Sequence, residues 1–166
     1  MEYILHLLIL ISFYTLLSQS LNLAAGYTGL ISLAQAGFYG IGAYTTAILS
    51  TQFGFSFWLN LPLAMLISGA IAFVVSLIAL RTAVDYFIIC TLGIQVVLFS
   101  VMNNWMELTR GPLGIPGIPS IHLFGLNLDS KISFLILSFL LVAFVWFILK
   151  NISKSGYGNT LRAISE

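Results

Sequence analysis

Charge is scarce in this sequence. Asp, Glu, Lys and Arg make up 7% of its residues, whereas a soluble domain carries roughly a quarter because its surface must be hydrated. A water-soluble globular domain is therefore excluded. Neither sign dominates, since six basic and five acidic residues leave a formal net charge of +1. The basic residues form no patch or stripe, which excludes a nucleic-acid partner. Cysteine is almost absent as well. Cys90 stands alone inside an apolar run, so there is no disulfide framework and no cysteine-based metal site, and it reads as a small core hydrophobe. The two histidines, His6 and His122, are too few and too peripheral for paired haem ligation. The chain also lacks His-Glu-x-x-His, paired intramembrane acids, Gly-x-Ser-x-Gly and a phosphate-binding loop. Nothing supplies a nucleophile, metal or nucleotide, so neither catalysis nor a metal or cofactor is expected.

What the sequence has is apolar length, with 60% hydrophobic residues. A helix rising about 1.5 Å per residue needs roughly 20 apolar residues to cross the hydrocarbon core. Five uncharged runs come near that length: residues 5–23, 30–49, 57–80, 86–102 and 132–149. Every charged side chain falls between or beyond them, as it must when an ion at the bilayer centre costs about 3 kcal/mol or more. The expected fold is all-α, a polytopic transmembrane helical bundle of about five spans. The first run is read as a retained span and not a secretory signal, because its start carries Glu2 instead of a basic residue and the run is too long.

Orientation follows from the cations. Lys150, Lys154 and Arg162 follow the fifth run with no acid until Glu166, and Arg81 separates the third from the fourth. Both segments are expected on the cytoplasmic side, which puts the N-terminus and the loop of residues 103–131 outside. In that outer loop, Arg110 and Lys131 are balanced by Glu107 and Asp129, Trp105 is expected at headgroup level, and the Gly and Pro spacing rules out continuous helix. The loop is expected to be an ordered, non-helical segment.

The second run is crowded with small and polar residues. At 100° per residue, Ala36, Gly40, Ala43 and Ala47 share one narrow face suited to close helix packing. Ser32, Gln35, Tyr39, Thr46 and Ser50 form a polar stripe beside it, which either lines an aqueous path or hydrogen-bonds across helices. Ahead of it, Gly26 and Gly29 in residues 22–29 mark a break, read as an ordinary turn in preference to a discontinuous helix of the transporter kind. In the fourth run, Gln95 sits near the middle with Thr91 one turn earlier. It should face the bundle, touching solute or joining two helices.

Three blocks of residues carry a resemblance. The first is residues 21–44, from Leu21 through Gly26-Tyr27-Thr28-Gly29 and Gln35-Ala36-Gly37-Phe38 to Tyr44. The second is Asp85-Tyr86-Phe87 with Thr91-Leu92-Gly93, and the third runs from Asn103-Asn104-Trp105 through Gly111-Pro112 to Gly117-Ile118. In that order and spacing they resemble the branched-chain amino-acid permeases of ATP-binding-cassette importers, of the LivM type. The resemblance implies a multi-pass subunit of a prokaryotic inner (plasma) membrane, with residues 1–166 as a partial transmembrane permease domain that would continue beyond Glu166. It implies as partners a second permease subunit, two cytoplasmic ATPase subunits that hydrolyse the ATP, and an extracytoplasmic solute-binding protein. Ser32, Gln35, Tyr39, Thr46 and Gln95 would then line part of the translocation path. Residues 156–164, with Gly158, Leu161, Arg162 and Ala163, would begin the segment that couples to the ATPase; Arg162 reads equally as a loop cation that sets topology. The family pattern carries a Glu and an Arg in the fourth span where this chain has Val96 and Phe99. Leucine, isoleucine or valine is the expected solute, with urea or short amides as the alternative on the same scaffold. A small structural subunit of a membrane redox complex is the rival of another class.

Overall fold

The fold comes from a computed structural model, which describes residues 2–82, 84–119, 122–123, 126–127 and 131–154. Six helices account for most of them: α1 (Glu2–Thr28), α2 (Gln35–Gln52), α3 (Phe57–Ala79), α4 (Val84–Asn104), α5 (Met106–Thr109) and α6 (Lys131–Lys154). A 3-10 turn at Gly111–Leu113 and two-residue strands at His122–Leu123 and Leu126–Asn127 complete the order. Each of the five long helices overlaps one of the uncharged runs, but α2 begins only at Gln35, so residues 30–34 of the second run lie outside helix. Four of them, α1, α3, α4 and α6, are long and apolar enough to cross a membrane. The apolar side chains face outward: Leu66, Phe73, Ile89 and Leu140 are all more than 60% exposed, the inverse of a soluble core and the expected surface of helices solvated by lipid.

The chain divides into two compact units, residues 1–31 with 125–166, and residues 32–124. In the first, α1 packs along α6. Glu2, at the start of α1, pairs with Lys131, at the start of α6. Gln19 and Asn22 near the end of α1 share a cleft with Trp146 and Lys150 near the end of α6. Start lies beside start and end beside end, so the two helices run parallel. Phe13 and Phe134 add a tilted ring contact at 6.2 Å between centroids. In the second unit, α2 packs along α3 and also meets α4.

The parallel pairing bears on the second run, whose polar composition makes α2 less apolar than the other four long helices. Consecutive crossings alternate in direction, so parallel first and last spans require an odd number in all. If only α1, α3, α4 and α6 crossed, α1 and α6 would be antiparallel. With α2 crossing as well the count is five, and the observed direction follows. Eighteen residues of α2 span about 27 Å at 1.5 Å each, close to the hydrocarbon thickness of about 30 Å.

Two local expectations are corrected. Residues 22–28 do not turn but continue α1; the break lies at residues 29–34, which open on Gly29 with φ 70°, the left-handed backbone that ends helices at low cost for glycine. The described part of the loop of residues 103–131 is not free of helix. Met106–Thr109 has neither Gly nor Pro and winds one turn before Arg110 (φ 58°) and Gly111 (φ 55°) reverse the chain.

Candidate functional site

The second unit brings one face of α4 against the start of α2. Residues 29–34 have no helical ladder of their own. The Leu33 N–H instead donates to the Thr91 hydroxyl at 3.2 Å, while that hydroxyl donates to the Ile88 carbonyl at 3.0 Å. Thr91 is 2% exposed and Ala34 fully buried. Thr91 is seven residues into α4, about 10 Å along its axis. Irregular backbone therefore reaches well inside the bundle, where it persists only because a protein group satisfies it.

One turn beyond Thr91, the buried Gln95 Oε1 has no hydrogen-bond partner among the described residues. It lies against Gly37, where an added Cβ would come within 2.8 Å of both Gln95 Oε1 and Leu98 Cδ1. Farther along, Gly40 faces Met102, whose Cε would be 2.9 Å from such a Cβ. The α4 face Thr91, Gln95, Leu98, Met102 thus meets Leu33, Gly37 and Gly40 in the same chain direction, and the two glycines are what allow the approach. The result is a seam, closed by glycines on α2, around one amide oxygen that has no hydrogen-bond partner among the described residues.

The residues expected to line a path are divided by this arrangement. Gln95 faces Gly37. Gln35, Tyr39 and Thr46 recur at helical spacing on a different face of α2, with Tyr39 half-exposed, and Ser32 lies in the irregular stretch beside Leu33. Hydroxyls on α2 are turned onto their own helix: Thr46 donates to the Gly42 carbonyl at 2.8 Å and Ser50 to Ala47 at 3.0 Å. Of the residues expected to pack, Gly40 touches Met102 and Ala47 is buried, whereas Ala36 and Ala43 are exposed on this chain. Gly158, Leu161, Arg162 and Ala163 lie outside the described residues.

Three contributors were not singled out from the sequence. Gly37 belongs to the closest approach, and Met102 seats Gly40. Asn60 is 1% exposed, donating from Nδ2 to the Phe55 carbonyl at 3.1 Å and leaving Oδ1 without a partner among the described residues. An amide inside the apolar run of residues 57–80 was the signal for it. At the C-terminal end of α4, the buried Thr109 hydroxyl reaches the Met102 and Trp105 carbonyls at 2.6 and 2.8 Å and accepts from the Gly111 N–H at 3.2 Å. That ties the Gly-Pro loop to the helix that carries Gln95. Among the described residues, no cluster of three or more His, Cys, Asp or Glu could hold a metal.

This arrangement has relatives among known sequences but none among solved structures, where no match is found. The high-affinity branched-chain amino acid transport system permease protein LivM of Salmonella typhimurium strain LT2 is 42% identical over 118 residues, 71% of this chain and 28% of that protein. LivM of Escherichia coli strain K12 is 42% identical over 114 residues, 69% of this chain and 27% of that protein. The matched stretch spans less than a third of either relative. The family described as branched-chain amino acid transport system / permease component matches residues 3–166, all but the first two positions. The chain is a member of that permease family.

Proposed function

We propose that residues 1–166 form part of the transmembrane domain of a LivM-type permease subunit in an ATP-binding-cassette importer for branched-chain amino acids. The observation that carries this reading is the family match over residues 3–166, and the α2–α4 seam supplies a physical locus for it. There, a buried Gln95 amide beside irregular backbone offers unused hydrogen-bonding capacity within the bundle. In an importer the amide would exchange partners as the solute passes, and alternating access would come from rocking of the helices driven by separate ATPase subunits. Gln35, Tyr39, Thr46 and Ser32 would extend the polar surface on other sides of α2. Residues 156–164 would meet the ATPase in the cytoplasm of a prokaryotic cell, with the N-terminus outside, as the cations Arg81, Lys150 and Lys154 favour. A second permease subunit, two ATPases and a solute-binding protein complete the assembly. Family membership favours this reading over a redox-complex subunit.

The test is co-expression with the neighbouring genes, purification and reconstitution into vesicles. The expected result is recovery of an ATPase and a second permease, with ATP-dependent uptake of leucine, isoleucine or valine that unlabelled urea does not compete. Uptake of urea or short amides in place of these amino acids would move the assignment to the alternative solutes. Recovery with redox subunits, and no ATPase, would overturn it.

A further inference from the structure

The turn between α2 and α3 is built from aromatic residues. Residues 52–58 read Gln-Phe-Gly-Phe-Ser-Phe-Trp, and Phe53, Phe55 and Trp58 are 62%, 40% and 54% exposed. The rings pair along the chain: the Phe53 and Phe55 centroids lie 5.8 Å apart, and those of Phe57 and Trp58 6.4 Å apart, edge to face. The backbone that carries them is fixed. Gly54 takes a left-handed φ of 63°, which a side chain would resist. The Phe55 N–H donates to the Leu49 carbonyl at 3.2 Å, and the Phe55 carbonyl accepts from Nδ2 of the buried Asn60 at 3.1 Å. Both backbone groups of Phe55 are satisfied within the turn, so the exposed rings are already arranged for whatever they meet.

Their position says what that is. α2 ends at Gln52 and α3 begins at Phe57. With both helices crossing, four residues turn the chain at a membrane surface and cannot carry the rings far from it. Trp58 stands in the first turn of α3, where side chains lean toward the helix N-terminus and so toward the same surface. Charge cannot hold the turn there, because no Asp, Glu, Lys or Arg occurs between Glu2 and Arg81. Hydropathy fixes α2 weakly, since it is less apolar than the other four long helices. We propose that this turn is a membrane-surface anchor: the rings of Phe53, Phe55 and Trp58 lie among lipid headgroups and hold the α2–α3 hairpin at its depth. The anchor needs only that α2 and α3 cross, and it is independent of which solute the permease carries.

The experiment is photo-cross-linking of the full chain, with whatever subunits accompany it, in phosphatidylcholine vesicles. A benzophenone amino acid replaces Phe53 or Phe55, and mass spectrometry identifies the adduct and its point of attachment. A lipid adduct joined at the headgroup or glycerol end is expected at both positions. The same probe at Leu66, 68% exposed near the middle of α3, should attach near the methyl ends of the acyl chains. Phe53→Ser with Phe55→Ser takes away two exposed rings and no core packing. It should move the Leu66 attachment point along the acyl chain, whereas Phe53→Tyr with Phe55→Tyr should leave it in place. Adducts to protein without lipid at residues 53 and 55, attachment there near the acyl methyl ends, or an unmoved Leu66 attachment in the double Ser variant would each overturn the proposal.

Discussion

Replacing Gln95 by leucine separates what this residue does for the fold from what it does for transport. A buried amide oxygen without a partner costs about 1–3 kcal/mol, and Gln95 Oε1 is such an atom among the described residues. Leucine is of similar size, and the missing side chain at Gly37 leaves room for either residue. Gln95→Leu should therefore stabilise the permease by about that amount, a rise of about 2–4 °C in melting midpoint per kcal/mol for a chain of this length. Uptake in vesicles should fall at the same time, because the hydrogen-bonding group has gone. A more stable protein that transports poorly is the expected signature of a group kept for function. If Gln95→Leu melts lower than wild type, the oxygen has a partner and the reasoning is refuted. If it melts higher and transports normally, Gln95 has no part in transport.

Three other perturbations read separate parts of the structure. Thr91→Val keeps the shape but removes the acceptor for the Leu33 N–H, so hydrogen exchange at Leu33 should accelerate and stability fall by about 1–3 kcal/mol; unchanged protection there would place the irregular stretch elsewhere. Gly111→Ala forces a Cβ into left-handed backbone at φ 55° and to 2.6 Å from the Asn103 carbonyl. It should cost about 1–3 kcal/mol and speed protease cleavage within residues 105–119, whereas wild-type cleavage kinetics would contradict that fit. In a chain whose Cys90 is replaced by Ser, a cysteine at Phe53 should react with an impermeant maleimide from outside, and one at Arg81 only after permeabilisation. The same accessibility for both would remove α3 as a crossing.

The long helices were legible because lipid enforces a simple pattern: uncharged apolar runs of the right length, separated by charged residues from Arg81 onward and by Gly-containing or polar stretches before it. The second span was legible by its glycines and not by its hydropathy, and its crossing follows from the parallel course of α1 and α6. The residues that make the α2–α4 seam were harder to read. Ala36, Gly37, Gly40 and Ala43 are all small, and counting at 100° per residue cannot tell which small residues meet a neighbour when the facing helix is unknown. Gln95 stood out as an amide deep in an apolar run, but its contact with Gly37 depends on the register between helices. The helix end was misplaced because Gly26 resembles a stop signal, yet an isolated glycine costs a helix only about 1 kcal/mol. Gly29, the other glycine of that expected break, is the one whose positive φ ends the helix.

The pairing of α1 with α6 sets an order of events during synthesis. Glu2 and Lys131 are 129 residues apart. At about 5–20 residues per second, the ribosome delivers α6 roughly 6–26 s after α1. Throughout that interval the α1 face that holds Ser12 and Gln19 has no α6 to cover it, although neighbours within the second unit can already assemble. Of the five long helices described, α1 is made first and waits for the one made last, and a membrane chaperone or a passing lipid would have that long to occupy its place.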